Sequence, residues 1–316
     1  MVAKLSDVAE LAGVSVATVS RVINSYGPIS QKTKDKVHAA MRQLHYQPNA
    51  MARSLQGKSS QFIGVILPTI DNPFFGVLAG ALEKALFERG YKVIIASSAN
   101  NVEVERQYLQ MLAANQVEAI ITGSHNLGIE EYEDASLPIV AFDRHLSDDI
   151  PTVSSDNYHG GELAAQYLLN QQVHKPLVIR DDDNSNSPTV KRGQGFVNYM
   201  TRHNVQALRY EVSDKLSMQQ ADVEKIKQFV LDNQIDGIFA NNDLTAIMLK
   251  NVLPNLPIVG YDGTPLLTLL HPDLVTIVQP VDEIVKKLVE IMLVKIGDNS
   301  AEITTDNIVS VSLKYK

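Results

Sequence analysis

After residue 60 the chain alternates between short apolar runs and helical stretches, and this alternation constrains the fold more than any other feature. Runs rich in Val and Ile, such as FIGVILP, YKVIIASS and PIVGYD, are mostly followed by helical patterns, for example at 75–89, 104–116 and 159–170. Strands that are apolar throughout and are joined by helices form parallel sheets covered on both faces. About ten such strands in two groups predict two doubly wound α/β subdomains rather than one sheet.

The sequence lacks the motifs of several enzyme and cofactor sites. The turn after the first strand, GVILPTIDNP, contains no GxGxxG, and the chain has no GxSxG, HExxH or Walker loop. His125 and His159 have no partner at metal-ligand spacing, and the run DDDNSNS at 181–187 is interpreted as a solvated loop rather than a cation site. We therefore expect no catalytic activity, no cofactor and no bound metal.

The composition indicates the compartment. The chain has no cysteine, which excludes disulfides and thiolate sites and suits a reducing compartment. The N-terminus, MVAKLSDVAE, has no apolar signal region, and no apolar run approaches the roughly 18–20 residues of a membrane span. We expect a cytoplasmic protein that does not contact a membrane.

The charge is distributed unevenly along the chain. Residues 1–60 contain eight Lys or Arg and three Asp or Glu, a net charge of +5 against −8 for the whole chain. A basic head on an acidic body predicts a polyanion partner for the head alone. Chance together with a solvated face explains the charge equally well when it is taken by itself.

The head contains a helix-turn-helix pattern. In LSDVAELAGVSVATVSRVIN, apolar residues recur at helical spacing as far as Ala12, and Gly13 follows as a helix stop. Ser15 is placed to cap a second helix, and a third helix is predicted from after Ser30 to about Leu44. Two short helices joined tightly around a glycine cross steeply, as in the DNA-binding helix-turn-helix.

The identity of these residues extends the interpretation. The stretch LSDVAELAGVSVATVSRVIN, continued by KVHAAMRQLHYQPNAMARSLQGKSS, resembles the N-terminal signature of the LacI/GalR family of bacterial transcription regulators. The alternating body is similar to the periplasmic-binding-protein fold that this family carries as its effector domain. The resemblance implies an N-terminal all-α helix-turn-helix DNA-binding domain followed by a periplasmic-binding-protein-like effector domain of two doubly wound parallel-sheet subdomains.

The same resemblance sets the expected domain boundaries. We expect a DNA-binding domain at 1–47, a hinge helix and linker at 48–59, and an effector-binding and dimerisation domain at 60–316. The expected subdomains of the last are an N-subdomain at about 60–154 and 281–305 and a C-subdomain at about 155–280 and 306–316.

The second helix is the expected recognition helix, which enters the major groove with its N-terminal end first. The resemblance implies that Val16, Ala17 and Arg21 face base edges, where Arg21 donates two hydrogen bonds to guanine and the other two meet thymine methyl groups. A core position is the alternative for Val16. The predicted DNA-binding residues are Ser6, Ser15, Val16, Ala17, Thr18, Ser20, Arg21, Asn24, Tyr46, Asn49, Ala52, Arg53 and Leu55.

The stretch YQPNAMARSLQGKS predicts a hinge. Pro48 ends the third helix, and Asn49 is placed to cap a short helix that ends at Gln56. So short a helix is marginal alone, so we expect it to form only when paired with its twin on DNA. The resemblance places an intercalating leucine at Leu55, which would open a base step in the minor groove, and a phosphate contact at Arg53.

Polar residues follow the predicted strands, and ligands of open parallel sheets bind outside the carboxyl ends of the strands. Carboxylates and amides pair with adjacent hydroxyl groups, Arg is a forked donor, and an aromatic face covers a sugar ring. The predicted effector-binding residues are Asp71, Asn72, Phe74, Phe75, Ser124, Asp143, Arg144, Arg192, Asn242, Asp262 and Gln279. A core position is an equally good prediction for Phe75. Asp156 and Asp243 also follow predicted strands, and for them the alternative is capping of the helix that comes next.

These features together predict a DNA-binding transcriptional repressor of a sugar-utilisation operon, acting as a homodimer on a near-palindromic operator. No heptad extension follows the last predicted strand, VSVSLKY, which favours a dimer over a tetramer. Within the family, the runs SYGPISQKTKDKVHAAM and FDRHLSDDIPTVSSDNYHGG resemble regulators of sucrose and ribose operons in Gram-positive bacteria. We therefore expect release from DNA by a small sugar, with sucrose favoured.

The sequence leaves alternative interpretations of the effector and of the class of protein. Ribose or a purine is the alternative effector within the family, and a sugar-binding protein of a transport system is the alternative from another class. A regulator driven by a phosphorylated carrier protein is disfavoured, because Asp282 and Glu283 would repel a phosphate.

Overall fold

The computed structural model describes residues 3–24, 26–47, 59–115, 117–124, 126, 128–132, 137–181, 187–212, 220–303 and 306–315. The chain forms two compact units, Met1–Ser60 and Gln61–Lys316. The predicted hinge residues Asn49, Ala52, Arg53 and Leu55 lie outside the described residues.

The first unit contains the predicted trio of helices, α1 (Leu5–Ala12), α2 (Val16–Ile23) and α3 (Gln31–Gln43). Gly13 ends α1 at φ 64°, a left-handed conformation that glycine adopts without steric cost. The side chains of Ser15 and Ser30 accept hydrogen bonds from backbone N–H groups in the first turns of α2 and α3. Val8, Val19 and Val37, one from each helix, are fully buried. The predicted helix-turn-helix is confirmed.

The described part of the second unit contains twelve strands. They are β1 (Phe62–Leu67), β2 (Lys92–Ser97), β3 (Ala119–Thr122), β4 (Ile139–Phe142), β5 (Thr152–Ser155), β6 (Pro176–Asp181), β7 (Leu208–Val212), β8 (Gly237–Phe239), β9 (Ile258–Asp262), β10 (Val275–Val278), β11 (Asp306–Val309) and β12 (Ser312–Lys314). The helices are α4 (Pro73–Phe87), α5 (Val102–Ala114), α6 (Asn157–Asn170), α7 (Val190–Arg202), α8 (Gln220–Asp232), α9 (Asp243–Val252), α10 (Pro265–Leu270) and α11 (Val281–Gly297), with a 3-10 turn at Glu130–Tyr132.

These strands form two sheets of six. The first has the order β11-β5-β4-β3-β1-β2, with parallel pairing throughout. The second has the order β12-β10-β9-β8-β6-β7 and is parallel except for the pair of β10 with β12. The predicted pair of doubly wound sheets is confirmed.

Helices cover both faces of each sheet, which is why the strands are apolar on both sides. In the first sheet, α4 and α11 bury Leu82 and Leu288 on one face, and α5 buries Leu112 on the other. In the second sheet, α6 and α7 share a core around Phe196, while α8 and α9 share the opposite core around Ile226.

The end of the chain corrects two expectations. Asp306 to Val309 pair in register with Thr152 to Ser155, so β11 belongs to the first sheet and the expected C-subdomain boundary at 306 is wrong. The predicted last strand, VSVSLKY, is divided between β11 and β12, which pairs antiparallel with β10 of the second sheet. The choice of pairing partner is made by distant segments, so local apolar pattern does not reveal the division.

Helices α6 and α7 cross in direct backbone contact. A methyl group on Gly161 would overlap the carbonyl oxygen of Arg192, and one on Gly195 would overlap that of Tyr158. Glycine is needed at both positions because any side chain would push the helices apart. The crossing holds Arg192, in the first turn of α7, close to Asn157 at the start of α6.

The described residues contain no helix that is both long enough and apolar enough to cross a membrane. Within the same residues, no three His, Asp or Glu side chains are clustered so as to hold a metal ion.

Candidate functional site

The three predicted base-reading residues lie on the outward face of helix α2. Val16 is 47% exposed, and Ala17 and Arg21 are also exposed, whereas Val19 and Val22 are buried against the other helices. The core alternative for Val16 is therefore wrong. The exposed face combines two small apolar side chains with one guanidinium, which suits contact with base edges in a major groove.

Other predicted DNA-binding residues lie at the two ends of α2 and on the neighbouring segments. The Ser15 and Thr18 hydroxyls lie 2.9 Å apart at the start of α2. At its end, the Asn24 amide donates to the Ser20 carbonyl at 2.6 Å. Ser6 is exposed at the start of α1, while Tyr46 is half-buried and packs against the small core. The side chains of Ser15, Thr18, Ser20 and Asn24 are short and are held by local hydrogen bonds, so their hydroxyl and amide groups are suited to phosphate contacts.

The second unit places two predicted carboxylates at the carboxyl ends of β4 and β9. Asp143 follows β4 with φ 51°, and Asp262 ends β9 with φ 114°. Both residues are buried, with only a small fraction of their surface exposed. Positive φ is uncommon for residues other than glycine, and such positions concentrate at ligand sites, where surrounding contacts offset the strain.

Arg192 and Asp143 form an ion pair across the two sheets. The Arg192 Nη2 atom lies 3.1 Å from Asp143 Oδ2, and its Nε donates to Asn157 Oδ1 at 2.5 Å. The guanidinium carbon lies 3.7 Å from the centre of the Tyr261 ring, a cation–π contact. Burial raises the pKa of Tyr261 well above its usual range. With Arg192 Nη1 also donating to the Asn241 carbonyl at 3.4 Å, four neighbours determine the plane and position of the guanidinium.

A second chain of hydrogen bonds links Asp262 to the crossing between the sheets. Gln279 donates to Asp262 Oδ1 at 2.8 Å and accepts from the Ser155 hydroxyl at 2.6 Å. Burial raises the pKa of Asp262 well above its usual range, and the nearby Asp243 raises it further. Four of the predicted effector residues, Asp143, Arg192, Asp262 and Gln279, are therefore brought together at one edge.

Two predicted asparagines cap helices with their side-chain oxygens. Asn72 Oδ1 accepts from the N–H of Phe74 at 2.9 Å, and Asn242 Oδ1 accepts from that of Thr245 at 2.9 Å. The capping alternative is confirmed for Asp156, which accepts from His159 N–H at 3.0 Å. It is wrong for Asp243, because Asn242 holds the cap of α9.

The remaining predicted effector residues have other neighbours. Phe74 and Phe75 both lie in the core of the first sheet, where Phe74 stacks on Phe142 with ring centres 5.8 Å apart. The Ser124 hydroxyl donates to the fully buried Glu105. Asp71 is exposed. Arg144 is nearly buried, and its carbonyl accepts from the Thr152 hydroxyl at 3.1 Å.

Sequence reasoning missed Asn157 and Tyr261. Asn157 lies just beyond the carboxyl end of β5, so the rule that selected the other cleft residues would also have selected it. Tyr261 lies inside the apolar strand PIVGYD, where an aromatic residue is normally interpreted as core. No local signal indicates its contact with Arg192, which comes from a distant helix.

The buried carboxyl of Asp243 predicts a pH-dependent stability. Burial raises its pKa to about 6, although it accepts from the Thr276 hydroxyl at 2.5 Å and Gly263 N–H at 2.8 Å. The folded state therefore binds a proton that the unfolded state, with a pKa of about 3.9, releases. This carboxyl should by itself lower the free energy of unfolding by about 2–3 kcal/mol as the pH rises from about 4 to 7, and Asp262, whose pKa is also raised, acts in the same direction.

Urea unfolding at a series of pH values measures this slope. Asp243→Asn should make the slope smaller, because only the contribution of Asp262 then remains, whereas Asp232→Asn, at an exposed carboxylate on α8, should leave the slope unchanged. An equal slope in the wild type and Asp243→Asn would contradict the assignment.

Comparison with known proteins places these two units in a family. Residues 4–49 match the model of bacterial regulatory proteins of the lacI family, and residues 60–254 match that of periplasmic binding proteins and the sugar-binding domain of the LacI family. The sucrose operon repressor of Pediococcus pentosaceus is 47% identical over 322 residues, covering 98% of this chain and 97% of that protein. The sucrose operon repressor of Streptococcus mutans is 49% identical over 304 residues, covering 94% and 93%.

The fold agrees with these matches. The crystal structure of the lac repressor dimer bound to operator and the anti-inducer ONPF superposes with a TM-score of 0.81 at 25% identity, covering 99% of this chain and 98% of that one. The three-helix head and the two-sheet body thus have the same fold as that protein along nearly the whole chain. The chain belongs to the LacI family of bacterial regulatory proteins.

Proposed function

We propose that the protein is a homodimeric transcriptional repressor of a sugar-utilisation operon, released from its operator by sucrose or a related sugar. The observation that carries the proposal is the similarity to sucrose operon repressors along nearly the whole chain, and the donors and acceptors grouped at the strand ends support it. In this proposal residues 1–47 bind DNA, residues 48–59 form the hinge, and residues 60–316 bind the sugar and dimerise.

The charges of the site support a neutral polyol as the ligand. Arg192 supplies N–H donors, while Asp143 and Asp262 supply acceptors, so a sugar hydroxyl finds both kinds of partner within one cluster. The Arg192–Asp143 pair is internally neutral and does not call for a charged ligand. The residues bind rather than transform such a ligand in this proposal, and the repressor names of the relatives support a regulator over an enzyme.

An exposed leucine face supports the homodimer. Helix α10 leaves Leu266, Leu269 and Leu270 exposed by 55%, 77% and 63%. Apolar surface of this kind on a globular domain marks an interface, and a two-fold dimer buries the same patch from both copies. Two recognition helices related by that axis would read half-sites one helical turn apart, so the operator should be near-palindromic.

The mechanism is linkage between two sites. A sugar that binds better to one arrangement of the two sheets shifts the protein towards it, and the affinity for DNA changes with that shift. Reciprocally, operator DNA must change the sugar affinity by the same factor.

Selection of duplexes from a random pool by the full-length chain tests the proposal. We expect a near-palindromic sequence whose binding weakens as salt rises, because phosphate contacts release counterions. Adding sucrose to the selected complex should release the protein, with ribose, fructose and purines as comparisons. Binding without sequence preference or salt dependence would overturn the repressor assignment, and release by ribose or a purine alone would overturn the sucrose assignment.

A further inference from the structure

Asn157 lies at the joint between the two sheets. It is the first residue of α6, directly after β5 of the first sheet, in a helix that packs on the second sheet. Its side chain is 2% exposed. Asp143 reaches it from the first sheet, while Arg192 and Tyr261 reach it from elements of the second.

The hydrogen-bonding capacity of the Asn157 amide is fully used. Its nitrogen donates to Asp143 Oδ1 at 2.8 Å and to the Ser155 carbonyl at 3.0 Å. Its oxygen accepts from Arg192 Nε at 2.5 Å and from the Tyr261 hydroxyl at 3.2 Å. A carboxylate accepts and a guanidinium donates, so the orientation of the amide is determined by its neighbours. Both donors and both lone pairs are occupied, and the amide has no capacity left for a ligand.

Only a neutral group with both donors and acceptors satisfies this position. An aspartate would offer no donor to Asp143 and would place two carboxylates in contact, where both cannot easily be ionised. A glutamine is one methylene longer and would not fit a buried site without displacing its neighbours. The residue type at 157 therefore controls the relative placement of the acidic and the basic group of the cluster.

We propose that Asn157 is a positioning residue for sugar recognition, which holds the Asp143 carboxylate and the Arg192 guanidinium in the mutual orientation that a sugar meets. This role rests on the proposed sugar effector. Asn157 acts through its two charged neighbours and sets the specificity of the site by fixing the angle and separation of their hydrogen-bonding atoms.

The consequence of changing Asn157 to Asp follows from the groups that face it. These are Asp143 after β4, Arg192 on α7, and Tyr261 with the adjacent Asp262 on β9. When both carboxylates are ionised, their repulsion turns Asp143 away from its place. At lower pH a shared proton restores a donor between the two oxygens, so sugar affinity should recover.

Calorimetric titration of the full chain with sucrose, from about pH 5 to 8, measures this effect. Relative to the wild type at each pH, Asn157→Asp should bind sucrose about tenfold or more weakly at about pH 8, and within about threefold at about pH 5. Exchanging the two groups, Asn157→Asp with Asp143→Asn, leaves one amide and one carboxylate and should abolish this relative pH dependence. Asn198→Asp is the matched control, because Asn198 is exposed on α7 and its amide donates to the Tyr158 hydroxyl.

The outcomes separate the two proposals. If the wild type binds sucrose and Asn157→Asp binds it equally at every pH, Asn157 has no positioning role, although the sugar assignment stands. If Asn157→Asp weakens sucrose binding by the same factor at every pH, and the double exchange binds no better, the role of Asn157 is merely structural. That outcome also overturns the inference. If Asn157→Asp does not fold, the double exchange carries the test through its pH profile, because Asp143→Asn can by itself weaken sucrose binding. A profile parallel to that of the wild type supports the inference, and a profile with a different pH dependence contradicts it. If the wild type binds neither sucrose nor any comparison sugar, the proposed function fails and this inference fails with it.

Discussion

Replacing Arg192 with alanine is expected to weaken binding of the effector sugar by at least about 100-fold, because two or more charge-assisted hydrogen bonds of about 1.5–3 kcal/mol each are lost. The same change leaves Asp143, which is nearly buried, without its ion-pair partner. Breaking a buried pair in this way typically lowers the free energy of unfolding by about 3–5 kcal/mol. Calorimetry with the sugar that the wild type binds, together with urea unfolding, measures both effects.

Two further arginine variants separate charge from geometry. Arg192→Lys keeps the positive charge but loses the planar fork that contacts Asn157 and Asp143, so we expect most of the affinity loss to remain. Arg202→Ala removes an exposed arginine from the other end of α7, where it pairs with Glu162, and should leave sugar affinity unchanged. Sugar binding by Arg192→Ala within about threefold of the wild type would contradict the assignment of Arg192.

The second large effect is expected at the DNA-reading face. A bidentate arginine–guanine contact contributes about 1–3 kcal/mol of base discrimination, and a dimer carries two copies of Arg21. Arg21→Ala should therefore weaken binding to the selected operator by about 2–6 kcal/mol, which corresponds to about 30-fold to about 20,000-fold. Fluorescence anisotropy at fixed salt measures the loss. The loss of affinity should depend on the base pair that Arg21 faces. The affinity for unrelated duplex should change little.

Arg42→Ala is the control for charge alone. Arg42 is exposed in the last turn of α3, so its removal takes away the same charge from the same unit. We expect a smaller loss, similar on operator and unrelated duplex, because charge acts on phosphates without regard to sequence. Equal effects of the two substitutions on operator and unrelated DNA would show that Arg21 does not read bases.

Features set by neighbouring residues were predictable from the sequence. The ends of α1, α2 and α3 are determined by Gly13, Ser15 and Ser30, whose capping preferences act within one turn of helix. Most strands of the two sheets were predictable because they are short runs rich in Val and Ile and are bounded by turn residues. The missed strands were β7, at the edge of its sheet, and β11, which is separated from the adjacent β12 by only Ser310 and Val311.

The candidate site was predictable only in part. Asp143 and Gln279 directly follow strands and Asp262 is the last residue of one, so the topology rule for open sheets selected them. The same rule also selected Phe74, which the structure places in the core, and Ser124, which is bonded to the buried Glu105. Position at the end of a strand does not say which way a side chain turns. That choice depends on the volume and hydrogen-bonding partners that other segments supply.

By itself the sequence therefore determined the three-helix head, the two doubly wound sheets and most of the residue types at the strand ends, because caps and apolar periodicity are local properties. Only the tertiary structure decided that the Asn157 amide lies between Asp143 and Arg192, and that Tyr261 lies beneath the guanidinium. These residues are far apart in the chain and meet because two glycines let α6 and α7 touch. Close approach of distant segments depends on packing of the whole unit, which no local pattern encodes.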